Sequence, residues 1–276
     1  MRLAAITDEI SQDLAHALSV MAEYGCHEAE LRNVYGTYII DADESLLRRV
    51  ESELAAAGAT VPCIDTPLFK CDLDEARAAT GPTHGAAERT HADQLHLLLH
   101  SIEVAKRFGT AYLRIFSFWR RGPLTPDIED RVATALSQPC QVAERAGITL
   151  LLENEHACYF GTGTETARLI EKIGSPALKM IWDPGNAFMA GEQPFPAGWE
   201  AAAPHTAHLH IKDARALADG RLEWTVVGDG EIDYVGQFAA LRAAGFAGAI
   251  SLETHMHGEE PSRRSLASLR TLIPSA

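Results

Sequence analysis

The stretch GITLLLENEH, residues 147–156, carries the pattern that decides the fold. Gly147 ends a helical pattern, because glycine enters the left-handed conformation that closes many helices at no steric cost. Residues 149–152 then form a short, nearly continuous apolar run, as a strand covered on both faces reads. Glu153, Asn154, Glu155 and His156 follow at once. Helix end, buried strand, polar strand end: the same order recurs on either side.

Strand-like runs lie at 3–6, 28–31, 60–64, 111–115, 149–152, 178–182, 207–211 and 249–252. Between them, apolar residues fall three or four apart, as in Leu14, Leu18, Met21, then Leu46, Val50, Leu54, then Leu98, Ile102, Ala105. That spacing lines one face of a helix. Gly25, Gly58, Gly109, Gly147 and Gly245 each stand just before a strand. Eight strand–helix units within 276 residues predict an α/β chain folded as a single (β/α)8 TIM barrel, one domain over residues 1–276. A doubly wound sheet would place a Gly-rich phosphate turn after the first strand, where TDEISQD stands instead at 7–13. Residues 67–85 read as a long loop after the third strand. Residues 215–230 carry turn signals at Asp219-Gly220 and Gly228-Asp229-Gly230 around a β-like run at 222–227.

Composition narrows the function. With 46% apolar residues and a mean hydropathy of −0.08, the chain has ample core and is neither disordered nor fibrous. The 38 acidic against 24 basic residues, a net charge of −14, oppose a broad nucleic-acid footprint. No run reaches the roughly 18 apolar residues of a membrane span. The opening MRLAAITDEISQD meets Asp8 and Glu9 before a signal-peptide core forms, so the expected location is cytoplasmic. Five cysteines without a CxxC pair read as buried, reduced thiols.

A TIM barrel carries its active site at the C-terminal ends of its strands. Four consecutive strands deliver an acid or an imidazole there: Glu153 after the fifth, Asp183 after the sixth, His210 on the seventh and Glu253 after the eighth. One such carboxylate alone would cap a helix or pair with a cation. Four at matching places predict a site for one divalent metal, and oxygen donors with one nitrogen suit Mn²⁺, Mg²⁺, Co²⁺ or Zn²⁺. His208 and His210 lie two apart on one strand and so share a face. His210 is nearer the catalytic end, with His208 a layer lower as a supporting or core histidine.

With those residues in view, the sequence resembles the sugar phosphate isomerase/epimerase family of xylose-isomerase-like barrels. The resemblance rests on LLENEH around Glu153, WDPGN around Asp183, HLHIKDA around His210, SLET around Glu253 and the run GDGEIDYVGQFAALRAAGFAGAISLE. It implies one divalent ion held by Glu153, Asp183, His210 and Glu253. It also implies that Glu153 and Glu253 are the catalytic acid/base pair, exchanging a proton at a carbon beside a carbonyl through an enediolate. A carboxylate on each face gives epimerisation, and one working on a single face gives aldose–ketose isomerisation. The substrate expected is a small sugar, sugar phosphate or polyol-derived carbonyl compound, with no nucleic acid or membrane partner, and the family allows a homo-oligomer. Ketose 3-epimerases of the family carry His three residues after the metal Asp, where Asn186 stands here. They carry Arg six residues past the metal His, where Ala216 stands beside Arg215.

Asn186, Lys212, Arg215 and His156 are the candidate substrate-binding residues. His255 and His257 follow Glu253, with His257 expected at the surface. Glu30 and Arg32 share a face after the second strand and are expected to pair with each other. Asp65 and Arg114 are weaker pocket candidates. His96 and His100, an i, i+4 pair near His91, lack the HExxH pattern and read as a helix face or subunit contact. Residues 116–119, Phe-Ser-Phe-Trp, are the candidate pocket wall, while Trp182 should face the helices. Three rival functions stand beside the isomerase/epimerase. One is a metal-dependent dehydratase of the inosose or dehydroshikimate type. Another is an apurinic endonuclease-like nuclease, which would need more strand-end histidines in the first half. The last is a non-catalytic sugar-binding protein.

Overall fold

The computed structural model describes residues 1–74, 86–87, 89–256 and 258–273. The later part of the expected long loop, 75–85, and His257 lie outside the described residues. Eight parallel strands make the barrel: β1 (Arg2–Ile6), β2 (Glu28–Glu30), β3 (Ile64–Leu68), β4 (Tyr112–Ile115), β5 (Thr149–Glu153), β6 (Leu178–Trp182), β7 (Thr206–Ile211) and β8 (Ala249–Leu252). Hydrogen-bonded neighbours run β2-β1-β8-β7-β6-β5-β4-β3. The seam between β2 and β3 is closed by parallel bridges from Glu28 to Thr60 and from Leu31 to Ile64. The chain therefore forms a single (β/α)8 TIM barrel.

Around it lie α1 (Leu14–Glu23), α2 (Glu44–Ala57), α3 (Gln94–Arg107), α4 (Pro126–Ala146), α5 (Gly163–Ile173), the short α6 (Pro184–Met189) and α7 (Trp199–Ala202), then α8 (Tyr234–Ala243) and α9 (Glu259–Leu272). Gly58 and Gly147 close α2 and α4 with φ of 62° and 72°, as the sequence pattern requires. Among the described residues, no helix is long and apolar enough to cross a membrane.

One strand is displaced from its expected place. Of the apolar run at 60–64 only its two ends, Thr60 and Ile64, pair with neighbouring strands, and the ladder to β4 begins at Ile64, opposite Leu113. Pro62 has no N–H to give a ladder, so regular pairing starts beyond it and runs into what reads as loop.

Alternation along the strands sets the two faces. Leu151 with Glu153, and Ile181 with Asp183, point into the barrel, so an apolar plug of Cys63, Leu151 and Ile181 lies beneath the polar strand ends. Trp182, fully buried, faces the helices, and its indole N–H donates to Gln237 at 2.9 Å. All five cysteines are buried and unpaired. Past β7 the chain turns into an antiparallel hairpin, Asp213–Ala216 with Leu222–Thr225, that stands over the C-terminal end of the barrel.

Candidate functional site

Glu153, Asp183, His210 and Glu253 each offer one ligand atom, and those atoms all lie within 4.8 Å of one another. All four side chains are buried. The WDPGN segment shows how sequence fixes one of them. Asp183 caps α6, its Oδ1 accepting the Asn186 N–H at 2.8 Å, with Pro184 fitted to the first helical turn. Asn154 clasps the Asp183 backbone on both sides, donating to its carbonyl and accepting from its N–H, each at 2.8 Å. Capping consumes one carboxylate oxygen, and the other, Asp183 Oδ2, is buried and faces the Lys212 ammonium at 2.9 Å. Gly185 lets the turn pass over β7, since a Cβ there would come within 2.7 Å of the Lys212 carbonyl.

His210 is held from behind. Its Nε2 lies 3.1 Å from Glu30 Oε1, and the same carboxylate takes His208 Nε2 at 2.8 Å and the Ser251 hydroxyl. With Nε2 anchored, Nδ1 faces the carboxylates, 3.3 Å from Glu153 Oε1. A histidine ligand oriented by a carboxylate on its far nitrogen is the usual supporting arrangement of a metal site. The expected Glu30–Arg32 pair does not form. Glu30 lies on β2 and points to the histidines, whereas Arg32 lies beyond the strand and reaches Asp8, Glu9 and Glu253.

Burial alone would raise the Glu253 carboxyl, but Lys212 and His255 hold it well below the ordinary range. Glu153 is likewise held down, against burial, chiefly by His210. Burial pushes Asp183 up to about 7 despite Lys212, with Glu153 and Glu253 adding to the rise. Three carboxylates and one imidazole nitrogen, all buried and within 4.8 Å of one another, fit a divalent cation. Arg114 sits lower, 3.4 Å from both Asp65 and Glu153 and 3.7 Å from Glu253, so Asp65 and Arg114 belong to the charge network beneath the cluster.

Of the substrate-binding candidates, Asn186 donates to Glu153 Oε1 at 3.1 Å, and its Oδ1 lies 2.9 Å from His156 Nδ1. Lys212 stands among Asp183, Glu253 and, at 3.8 Å, Glu153. Arg215 is not brought in: it is exposed on the hairpin and paired with Glu223. Trp224, on the opposite hairpin strand, packs edge-on against His156 and His255 and roofs the site. A cavity of about 520 Å³ opens beside it, lined by Ser11, Gln12, Trp224 and His255 among others. Phe116 and Trp119 are buried and stack under the Lys70 ammonium, which pairs with Glu155 at 3.1 Å. His100 bonds the Ile40 carbonyl, away from the cluster.

Glu9 went unread in the sequence. Its Oε2 accepts the N–H groups of Thr254 and His255 at 3.0 and 2.9 Å, fixing the turn after Glu253. The available signal was its place in the turn Thr7–Glu9 just after β1, at the C-terminal end of the barrel.

Comparison with known proteins agrees with this architecture. The family model described as xylose isomerase-like TIM barrel matches residues 18–272. An inosose dehydratase of Lacticaseibacillus casei is 25% identical over 189 residues, 61% of this chain and 62% of that protein. The match thus spans about three fifths of that relative's length. A fructoselysine 3-epimerase of Shigella flexneri is 25% identical over 199 residues, 68% of this chain and 69% of that one. Among solved structures, an IolI protein with a bound zinc atom superposes with a TM-score of 0.77 at 16% identity, covering 99% of this chain and 98% of its own. The relatives are enzymes, of epimerase and dehydratase kinds. With the model matched over nearly its whole length, the chain belongs to the xylose isomerase-like TIM-barrel family.

Proposed function

We propose that this protein is a divalent-metal-dependent isomerase or epimerase of a small sugar or polyol-derived carbonyl compound, moving a proton at the carbon beside the carbonyl. The observation that carries the reading is the convergence of Glu153, Asp183, Glu253 and the inward Nδ1 of His210 within 4.8 Å. Those four residues would hold the ion. When bound, it supplies positive charge to a substrate's carbonyl and adjacent hydroxyl oxygens, which favours loss of the neighbouring proton.

The chain's own groups do the rest. Glu153 and Glu253 are both held ionised at neutral pH, so each can accept a proton and return it. Asn186 positions the Glu153 carboxylate, and Arg32 positions Glu253 through a 2.8 Å hydrogen bond. Lys212 places an ammonium where negative charge on a substrate oxygen would develop. His156 contacts substrate from the rim, and Trp224 excludes water from above.

The zinc in the structural neighbour and the epimerase among the relatives support this reading. A dehydratase is the second reading, favoured by a relative of equal identity. It begins with the same proton abstraction and then expels a hydroxyl, so growth of conjugated-alkene absorbance separates the two. The five buried, unpaired thiols support a reducing, cytoplasmic setting.

The test is elemental analysis of the purified protein before and after chelation and reloading, joined to solvent-deuterium exchange on ketoses and inososes. About one divalent ion per chain, lost in His210→Ala, is expected. Glu153→Gln and Glu253→Gln should each abolish exchange in a folded protein. Wild-type exchange in both variants would defeat the two-carboxylate mechanism.

A further inference from the structure

A line of polar side chains, Lys70, Glu155, His156 and Asn186, runs from the aromatic pair Phe116 and Trp119 to Glu153. It begins just past β3. Phe69 takes a φ of 62°, the left-handed conformation that bulky residues rarely adopt. Its N–H donates to Gln94 Oε1 at 2.7 Å, and its carbonyl accepts the Phe118 N–H at 3.0 Å. That turn carries the Lys70 ammonium over the Phe116 and Trp119 rings, 4.3 and 5.4 Å from their centroids, and to Glu155 Oε2 at 3.1 Å. Both Lys70 and Glu155 are buried. A buried ion pair adds little stability over apolar packing, and here a neighbour makes use of it.

Glu155 Oε1 accepts the Ala157 N–H at 3.2 Å and lies 3.0 Å from His156 Nδ1. The same Nδ1 lies 2.9 Å from Asn186 Oδ1, and the Asn186 NH₂ donates to Glu153 Oε1 at 3.1 Å. A carboxylate stands on either side of the imidazole and the amide, and carboxylates only accept. The donors between them then have one consistent arrangement. His156 carries its proton on Nδ1, Asn186 turns its carbonyl oxygen to that proton, and the Asn186 NH₂ goes to Glu153. With the proton on Nε2 alone, Nδ1 would set a lone pair against both Glu155 and Asn186. The amide would gain by flipping, and a flipped amide points its oxygen at the Glu153 carboxylate.

We propose that Glu155, anchored by Lys70, is a positioning residue: it fixes the Nδ1–H form of His156 and, through Asn186, the orientation of the Glu153 carboxylate. Nε2 is then the His156 nitrogen left to a substrate, accepting from a hydroxyl when the ring is neutral. This deepens the isomerase/epimerase reading of the site and rests on it for the role of Glu153.

The test compares two uncharged replacements of the buried pair. Lys70→Met with Glu155→Gln keeps an acceptor, since the Ala157 N–H selects the amide oxygen for the Oε1 place. Lys70→Met with Glu155→Leu keeps none. On the Zn²⁺-loaded full chain with ring-¹⁵N histidine, long-range ¹H–¹⁵N correlation reads which nitrogen carries the proton, and His156→Gln assigns the signal. Solvent-deuterium exchange into D-ribulose, D-fructose and a cyclic inosose is read on the same proteins. Wild type and the Gln pair should hold the proton on Nδ1. The Leu pair should shift it toward Nε2 and exchange about tenfold or more slowly than the Gln pair. A wild-type ring protonated on Nε2 alone overturns the proposal whatever the variants do. So does a folded Leu pair that keeps the Nδ1 proton or exchanges as fast as the Gln pair. The ring signature is read without substrate, so Nδ1 protonation with no exchange in any of the proteins would defeat the proton-transfer reading and leave the lock on His156 standing.

Discussion

Replacing Glu30 by Gln tests whether the chain has a built metal site or only a gathering of buried charges. Glu30 is fully buried and accepts from His208, His210 and Ser251. Burial would raise its carboxyl, but the two histidines hold it well below the usual range, so it is an anion at neutral pH. Gln offers one acceptor oxygen and a donor NH₂ in the same volume. One of the two imidazoles must then face a donor. If that ring is His210, its proton shifts to Nδ1, the nitrogen directed at Glu153. Loss of such a supporting carboxylate costs about tenfold to hundredfold in metal affinity, or about 1.4–2.7 kcal/mol. Fold stability should fall as well, by about 1–3 kcal/mol, for one buried donor left unpaired. The assay is competitive titration of Zn²⁺ and Mn²⁺ against a chromophoric chelator, with Tm measured on the same protein. A folded Glu30→Gln variant with wild-type affinity for both ions would show that His210 needs no such support, and the orientation argument would fail.

Other consequences follow from the packing. Gly185→Ala would drive a Cβ to within 2.5 Å of Lys212 Cγ and 2.7 Å of its carbonyl, so it should cost about 1–3 kcal/mol in denaturant unfolding and weaken metal binding too. Trp224→Ala should raise KM for any accepted substrate while leaving metal affinity unchanged, because Trp224 covers the cluster without contributing a ligand atom. The clasp of Arg107 on Glu44 and Glu51 joins α3 to α2, and hydrogen bonding to Arg107 and Arg48 pulls Glu44 down to about 2. A lowered carboxyl contributes stability that is present above its unfolded value near 4.5 and is lost as pH falls toward 2. Arg107→Gln should therefore lower Tm slightly at pH 7 in low salt, and the difference should vanish near pH 2 or in high salt.

Local order along the chain determined much of this protein. Each strand of the second half is a short apolar run with a polar residue at or just past its end, and most follow a helix closed by glycine, so the barrel and its four converging donors were legible without coordinates. Alternation was enough to put His208 and His210 on one face and to send Trp182 outward. Local order failed where a partner lies far away in sequence. Pro62 silenced part of an apolar run, and β3 began where pairing with β4 became available. Glu30 and Arg32, two apart, looked like partners, yet β2 delivers one to His210 and the bend after it delivers the other to Glu253, more than 170 residues away in each case.

The same limit explains why Glu9 was passed over and Arg215 was expected at the site. Closure of the barrel brings β1 beside β8, which makes Glu9 the acceptor for the turn after Glu253. Arg215 stands one residue short of the family's position past His210, and the hairpin pairs it with Glu223 and carries it outward. Sequence thus determined which residues could do chemistry, because periodicity and strand ends are local properties. Which charges pair with one another was decided only by the tertiary structure, because ion pairing depends on distances that barrel closure alone creates.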